Sequence, residues 1–135
     1  RGWPRTPLLP EHRIASADEL TRAVQEHPRL SLGSHTWSHP NVARLRGEAL
    51  ERELAAPRDW LRSRFGPRFL DWLAYPYGLA TSESVIAAEA TGYRGALLVS
   101  GGWDRRSAGP HALPRLNVTA RLTDAGFRAR LAALR

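Results

Sequence analysis

Apolar residues recur along the chain at two spacings, one typical of helices and one typical of strands. Ser16 and Glu19 form a capping box, and the apolar positions after them lie on one face of a helix predicted over residues 17–27. Leu30 and Leu32 alternate with polar neighbours, which predicts a short strand. The histidine-containing segment that follows therefore begins at the end of a strand.

The same alternation of helix and strand continues through the rest of the chain. The predicted elements are a helix from Glu48 to Gly66 that Pro57 kinks or splits, a strand Phe69–Tyr75, a helix capped by Thr81 or Ser82 and closed by Gly92, strands over residues 95–99 and 113–118, and a final helix over residues 124–134 capped by Thr123. Strands separated by helices favour parallel pairing with right-handed crossovers. We predict an open α/β sheet or part of an α/β barrel, whose ligands bind at the carboxyl ends of the strands.

Length and composition limit the function classes. A chain of 135 residues is typical of one domain, so we take residues 1–135 as a single domain with a loop or arm over residues 1–14. The absence of methionine indicates a processed product or a part of a longer protein, and the absence of cysteine excludes disulfides. No apolar run approaches the roughly 20 residues that span a bilayer, so we predict no transmembrane segment.

The positive charge does not by itself predict nucleic-acid binding. The formal net charge is +7, and every basic residue apart from the histidines is arginine. Between Glu48 and Arg62 the arginines alternate with acidic residues, which is typical of a solvated helix face. An arginine-rich nucleic-acid binder ranks last among the functions considered, since no groove-reading motif is present.

Two histidines four positions apart, His35 and His39, stand in the segment GSHTWSHPN. Neutral imidazole is a common zinc ligand, and this spacing can bring both rings to one side of a turn. Surface or capping histidines are the alternative interpretation. A catalytic zinc ion usually has three protein ligands, and Asp104 is the only acidic candidate in the strand-end loops, with a solvated loop residue as its alternative.

A second candidate element is the segment YPYG, residues 75–78, at the end of a predicted strand. It is interpreted either as an ordinary turn or as a turn that presents a backbone N–H to an oxyanion and walls a sugar site with aromatic rings. We place Tyr75 among the candidate substrate-binding residues. Trp103, in a strand-end loop, is the better candidate for stacking on a sugar ring, whereas Trp37 is interpreted as a packing residue, with a sugar platform as its alternative.

Taken together, GSHTWSHPNVARL, LAYPYG, TGYRGALLVSGG and ALPRLNV resemble the NodB-homology polysaccharide deacetylases, carbohydrate esterase family four, over about residues 15–120. The resemblance implies a partial or distorted (β/α) barrel with parallel strands and a divalent metal, usually zinc, that serves hydrolysis of N-acetyl groups on an amino-sugar polysaccharide. It implies that His35 and His39 bind the metal, and that the backbone N–H of Tyr77 stabilises the oxyanion. Arg115 matches an arginine of one branch of the family, and its alternative is an ordinary ion pair at a strand edge.

The chain also departs from the family pattern. The first family motif, T-F-D-D-G, supplies the base aspartate and the third metal ligand, and nothing in the sequence matches it. We therefore expect this polypeptide alone to be inactive or nearly so. No L-x-x-H motif supplies the general acid, which leaves His111 as a weak candidate proton donor.

The predicted partner is an N-acetylated polysaccharide, with no nucleic acid and with an oligomeric state that the sequence does not determine. A cell-envelope or exported location is favoured over a cytoplasmic one. The alternative function is a non-catalytic glycan-binding or scaffold domain with a degenerate deacetylase fold.

Overall fold

The computed structural model describes residues 14–99 and 109–132, which fall into two compact units, Arg1–Ser31 and Leu32–Arg135. The first unit contains helix α1 (Ala17–Glu26), where a helix was predicted. Ser16 and Glu19 form the predicted capping box, in which each side chain accepts the backbone N–H of the other residue. The single-domain interpretation stays a prediction, and residues 1–13 of the predicted arm lie outside the described residues.

Three short strands form the sheet of the second unit: β1 (Leu32–Ser34), β2 (Phe69–Ala74) and β3 (Gly95–Leu97). They pair in parallel in the order β1-β2-β3, and the described strands form an open sheet. The predicted α/β class with parallel strands is confirmed. The predicted strand over residues 113–118 is wrong, because only Leu113 bridges to β3, and Pro114 has no N–H to continue the ladder.

Helices α2 (Gly47–Phe65), α3 (Ser82–Thr91) and α4 (Asp124–Ala132) belong to the second unit. The hydroxyl of Thr81 accepts the N–H of Ser84 and caps α3, and Gly92 ends that helix with φ 92°. Gly66 ends α2, also at positive φ. Each of these helix ends agrees with its prediction.

Helix α2 continues through Pro57, so of the two predicted alternatives, a kink or a split at this proline, the split is wrong. A proline inside a helix removes one hydrogen bond and costs about 3 kcal/mol. The helix nevertheless buries one apolar stripe along its length, consisting of Leu50, Leu54, Pro57, Leu61 and Phe65. Burial of this stripe against the sheet contributes more than one backbone hydrogen bond, at about 1.5–3 kcal/mol for each large side chain.

Helix α2 is also fastened to the sheet by polar contacts. Arg58 and Arg62 both pair with Asp71 of β2, with closest nitrogen–oxygen distances of 3.1 and 2.6 Å. Arg58 also donates to the carbonyl oxygen of Gly92 at 2.9 Å, which ties α2 to the end of α3. The predicted solvated face is thus partly wrong, since the Arg58 side chain is only 13% exposed. Within residues 14–99 and 109–132, no helix has the length and apolarity needed to cross a membrane.

Candidate metal centre

The two histidines lie together in the loop that leaves β1. The ring centroids of His35 and His39 are 4.7 Å apart, and the rings meet edge to face at 71°. Both histidines are exposed to solvent. The four-residue spacing therefore brings two imidazoles into contact at the carboxyl end of a strand, where the fold predicts a ligand site.

A carbonyl group of the neighbouring strand fixes the orientation of His35. The Nδ1 atom of His35 lies 2.6 Å from the carbonyl oxygen of Ala74, at the end of β2. Because a carbonyl oxygen only accepts, Nδ1 is the donor of this bond, and in the neutral ring Nε2 is the nitrogen that carries the lone pair. This is the arrangement in which metal-binding histidines are usually held, with one nitrogen bonded to the protein and the other available to the ion.

The aromatic turn completes the cluster. Pro76–Gly78 forms one 3₁₀ turn after β2, and the ring centroid of Tyr77 lies 5.1 Å from that of His39. The hydrogen bonds of the turn run from Gly78 N–H to Tyr75 and from Leu79 N–H to Pro76, so neither uses the N–H of Tyr77. The structure thus brings together His35, His39 and Tyr77, as the sequence predicts.

Backbone strain is concentrated at this cluster. Thr36, His39 and Tyr77 have φ of 68°, 60° and 58°, and they are the non-glycine residues with positive φ in the described parts of the chain. Each such residue costs about 1–3 kcal/mol and persists only where its surroundings hold it. The Thr36 hydroxyl accepts the N–H of His39 at 3.1 Å and supplies part of that hold.

Glu53, which lies on the helix face predicted to be solvated, also holds this strained loop. Glu53 of α2 accepts hydrogen bonds from the backbone N–H groups of Trp37 and Ser38 at 3.0 and 2.9 Å and from the Ser38 hydroxyl at 2.7 Å. A signal was present in the sequence, because Glu53 lies three residues after buried Leu50 and four before buried Pro57. A carboxylate beside the apolar stripe of a helix is poorly placed for full solvation.

Tyr75 does not line the site. Its side chain is 0% exposed, and its hydroxyl donates to the carbonyl oxygen of His111 at 3.0 Å. Burial raises the pKa of the Tyr75 phenol. The predicted substrate-binding role of Tyr75 disagrees with this position, because a ring inside the core has no face to offer a polysaccharide.

His111 is likewise a core residue in the structure. It is 7% exposed, and its Nε2 atom lies 2.7 Å from the carbonyl oxygen of Tyr93, to which it must donate. A ring committed to a buried carbonyl does not reach a substrate. The predicted role of His111 as a proton donor therefore disagrees with its burial and its hydrogen bond.

The remaining predicted residues lie apart from the cluster or beyond the described chain. The Nε atom of exposed Arg115 donates to the carbonyl oxygen of Leu98 at 2.9 Å, and its side chain lines a separate cavity of about 160 Å³. Trp103 and Asp104 lie outside the described residues. Trp37 is 58% exposed, which disagrees with a packing role, and it shares a groove of about 290 Å³ with Trp60 and His35.

The donor set matches part of a catalytic metal site. Two imidazoles, one already oriented through Nδ1, fit the ligands that zinc prefers. In residues 14–99 and 109–132 no group of three His, Cys, Asp or Glu side chains is placed to hold a metal ion. Among the described residues, the histidine pair thus offers two candidate ligands where a catalytic zinc ion usually has three.

The second unit combines an open parallel α/β sheet with a histidine pair and an aromatic turn at the ends of two adjacent strands. These are the features expected from the resemblance to polysaccharide deacetylases. Residues 1–96 match the family model for polysaccharide deacetylases, so the chain belongs to the polysaccharide deacetylase family. Its similarity to this family confirms the resemblance noted from the histidine and tyrosine motifs.

Individual relatives agree with the family. The chain is 25% identical over 124 residues to the putative polysaccharide deacetylase YxkH of Bacillus subtilis, covering 92% of this chain and 44% of the relative. It is 26% identical over 97 residues to the chitooligosaccharide deacetylase of Azorhizobium caulinodans, covering 64% and 46%. The chain thus spans less than half the length of these relatives.

A solved structure shares the fold. The deacetylase PplD of Streptococcus pyogenes, determined in complex with acetate, superposes with a TM-score of 0.74 at 16% identity, over 90% of this chain and 52% of that one. At this identity the similarity concerns the fold, and it agrees with the predicted NodB-type architecture.

Proposed function

We propose that this chain is part of a metal-dependent hydrolase that removes N-acetyl groups from an amino-sugar polysaccharide. The observation that carries the proposal is the oriented histidine pair, with His35 Nδ1 bound to the Ala74 carbonyl, His39 in ring contact with His35, and Tyr77 in ring contact with His39. Family membership and the names of the relatives support the same reaction class.

The proposed cofactor is a divalent metal, with zinc the best match to imidazole nitrogen. His35, through Nε2, and His39 would hold it, and a residue outside the described ranges would supply the third ligand. A metal in such a site acts as a Lewis acid and lowers the pKa of coordinated water toward about 7. The protein's own contribution is to orient His35 through the Ala74 carbonyl and to keep both imidazoles on one side of the loop.

Tyr77 is the proposed oxyanion donor. Its positive φ turns the backbone at the point where the aromatic turn meets His39, and the turn's own hydrogen bonds leave its N–H out. Loss of one preorganised donor in acyl transfer typically costs about 2.7–4 kcal/mol in transition-state stabilisation. The exposed Tyr77 ring, 63% accessible, would contact the sugar.

The proton for the leaving amine requires a group other than His111, because that imidazole is buried and bound to a carbonyl group. A donor from outside the described residues fits the proposal. The absence of a suitable proton donor among the described residues is a second reason to expect that this polypeptide alone is inactive or nearly so.

Acetate release from partially N-acetylated chitosan, by the complete gene product that contains this chain, tests the proposal. His35→Ala should reduce the rate at least 100-fold, consistent with the loss of a metal ligand. His27→Ala, a change at an exposed residue of the first unit, is the matched control and should keep the wild-type rate. Equal rates for the wild type and His35→Ala would contradict the proposal.

A non-catalytic glycan-binding domain is the second candidate. It is favoured by one observation, that the described residues offer two metal ligands and no third. It predicts that the complete gene product binds partially N-acetylated chitosan equally well with and without a chelator and releases no acetate. The hydrolase predicts acetate release that a chelator abolishes.

A further inference from the structure

One carboxylate holds the segment between the two histidines from outside the site. Oxygen Oε2 of Glu53 accepts the N–H groups of Trp37 and Ser38, and Oε1 accepts the Ser38 hydroxyl proton, at distances from 2.7 to 3.0 Å. Both oxygens are thus used, and all three donors come from two consecutive residues. Hydrogen bonds to an ionised acceptor are roughly twice as strong as neutral ones.

The loop that receives these bonds needs external support. Thr36 and His39, on either side of the Trp37–Ser38 peptide, both have positive φ, which residues with a Cβ adopt only when held. The loop's own contribution is the bond from His39 N–H to the Thr36 hydroxyl. Glu53 supplies three further bonds, and it does so from a regular helix whose apolar stripe is buried.

We propose that Glu53 is a positioning residue that sets the distance between the His35 and His39 rings by fixing the backbone between them. The proposal rests on the proposed function, in that the fixed pair is taken to bind a metal. Within the described residues, the hydrogen bonds of Glu53 reach two of the three residues between the histidines, Trp37 and Ser38, and neither imidazole. Glu53 therefore acts through Trp37 and Ser38 rather than on the metal itself.

Three variants separate this role from a general effect on the helix. Glu53→Ala removes all three acceptors. Glu53→Gln keeps the size of the side chain, and its amide oxygen can still accept both backbone N–H groups while its NH₂ donates to the Ser38 hydroxyl. Glu51→Ala is the matched control, because Glu51 is an exposed residue on the same helix two positions earlier.

The primary experiment is a competition titration with zinc of the complete gene product that contains this chain, together with urea unfolding of each variant without metal. Loss of a group that orients a metal ligand typically lowers metal affinity by about 10- to 100-fold. We expect about a tenfold or greater loss for Glu53→Ala, a loss of threefold or less for Glu53→Gln, and the wild-type Kd for Glu51→Ala. Unchanged zinc affinity in folded Glu53→Ala would overturn the proposal, and so would equal losses in Glu53→Ala and Glu51→Ala.

A second readout keeps this inference separate from the proposed function. If the wild-type complete gene product binds no zinc, the metal proposal fails on its own, and nuclear Overhauser contacts between the His35 and His39 rings then decide the role of Glu53. These contacts should be present in the wild type and in Glu53→Gln and lost in Glu53→Ala. If Glu53→Ala does not fold, Glu53→Gln tests the positioning role instead. Glu53→Gln retains the hydrogen-bond acceptors, so loss of the contacts between the His35 and His39 rings in this variant would contradict the proposal.

Discussion

Tyr75 and Tyr77 differ completely in exposure although one residue separates them, at 0% and 63%. The difference follows from strand geometry, because Tyr75 continues the alternation of buried Phe69 and Leu73, whereas the chain turns at Pro76. The turn depends on Gly78, which has φ of 67°. A Cβ at this position would lie 2.2 Å from the Cβ of Val99, so both the backbone and the available space require glycine.

Gly78→Ala should therefore destabilise the protein by about 2–4 kcal/mol, through strain at positive φ and through overpacking. Urea unfolding measures the change. Gly109→Ala is the control, since a Cβ at Gly109 meets nothing within 4 Å and its φ is −59°. Similar unfolding free energies for the two variants would show that the turn tolerates a side chain.

The buried Tyr93 phenol should make the free energy of unfolding depend on pH in the alkaline range. Burial raises its pKa from 10.0 to about 12, and its hydroxyl donates to the Leu54 carbonyl oxygen at 2.8 Å. The unfolded chain therefore releases this proton first, so the Tyr93 contribution is complete below pH 10 and is lost as the pH rises toward 12. Unfolding free energies between pH 8 and 11.5 should fall more steeply for the wild type than for Tyr93→Phe. Parallel curves would exclude this linkage.

At the scale of elements, helix α2 connects the core to the candidate site. One face of the helix buries its apolar stripe, Arg58 and Arg62 reach Asp71 of β2, and Glu53 reaches the histidine loop. The continuity of α2 through Pro57 keeps these contacts on one rigid element. The histidine loop is thus held by a carboxylate that lies 16 and 15 positions after its hydrogen-bond donors, Trp37 and Ser38, along the chain.

Asp71→Ala tests the fastening of α2 to the sheet. The change leaves the Arg58 guanidinium, 13% exposed, without its carboxylate, so we expect a loss of about 2–4 kcal/mol in unfolding free energy. Glu48→Ala breaks the exposed pair with Arg52 on the same helix and should cost about 0.5 kcal/mol or less. A loss below about 1 kcal/mol for Asp71→Ala would indicate that packing alone holds the helix.

Local patterns predicted the elements better than they predicted the contacts between them. Ser16, Thr81 and Gly92 marked helix ends correctly, because capping depends on residues within one turn. The burial of Tyr75 was readable from the two-residue period of its strand. The role of Glu53 could not be predicted locally, because it depends on how closely α2 approaches the histidine loop. The position of Glu53 beside the apolar stripe of α2 was the one sign that it differs from a solvated carboxylate.

At the scale of the whole molecule, an open parallel sheet carries its candidate chemistry at one edge. The carboxyl ends of β1 and β2 present the histidine loop and the aromatic turn, and the Ala74 carbonyl of β2 orients His35 of the loop after β1. The family match covers residues 1–96 and so includes both elements. Parallel strand order, rather than sequence proximity, brings His39 and Tyr77 into contact.

The central claim is that His35 and His39 bind one divalent metal ion together. Zinc titration of the complete gene product that contains this chain, followed through the imidazole nitrogen signals in ¹⁵N NMR, tests it most directly. We expect one equivalent of zinc to shift the Nε2 signal of His35 and a ring signal of His39 at the same saturation, and either His35→Ala or His39→Ala to weaken binding at least tenfold. Independent titration of the two rings, or wild-type affinity in both variants, would contradict the claim.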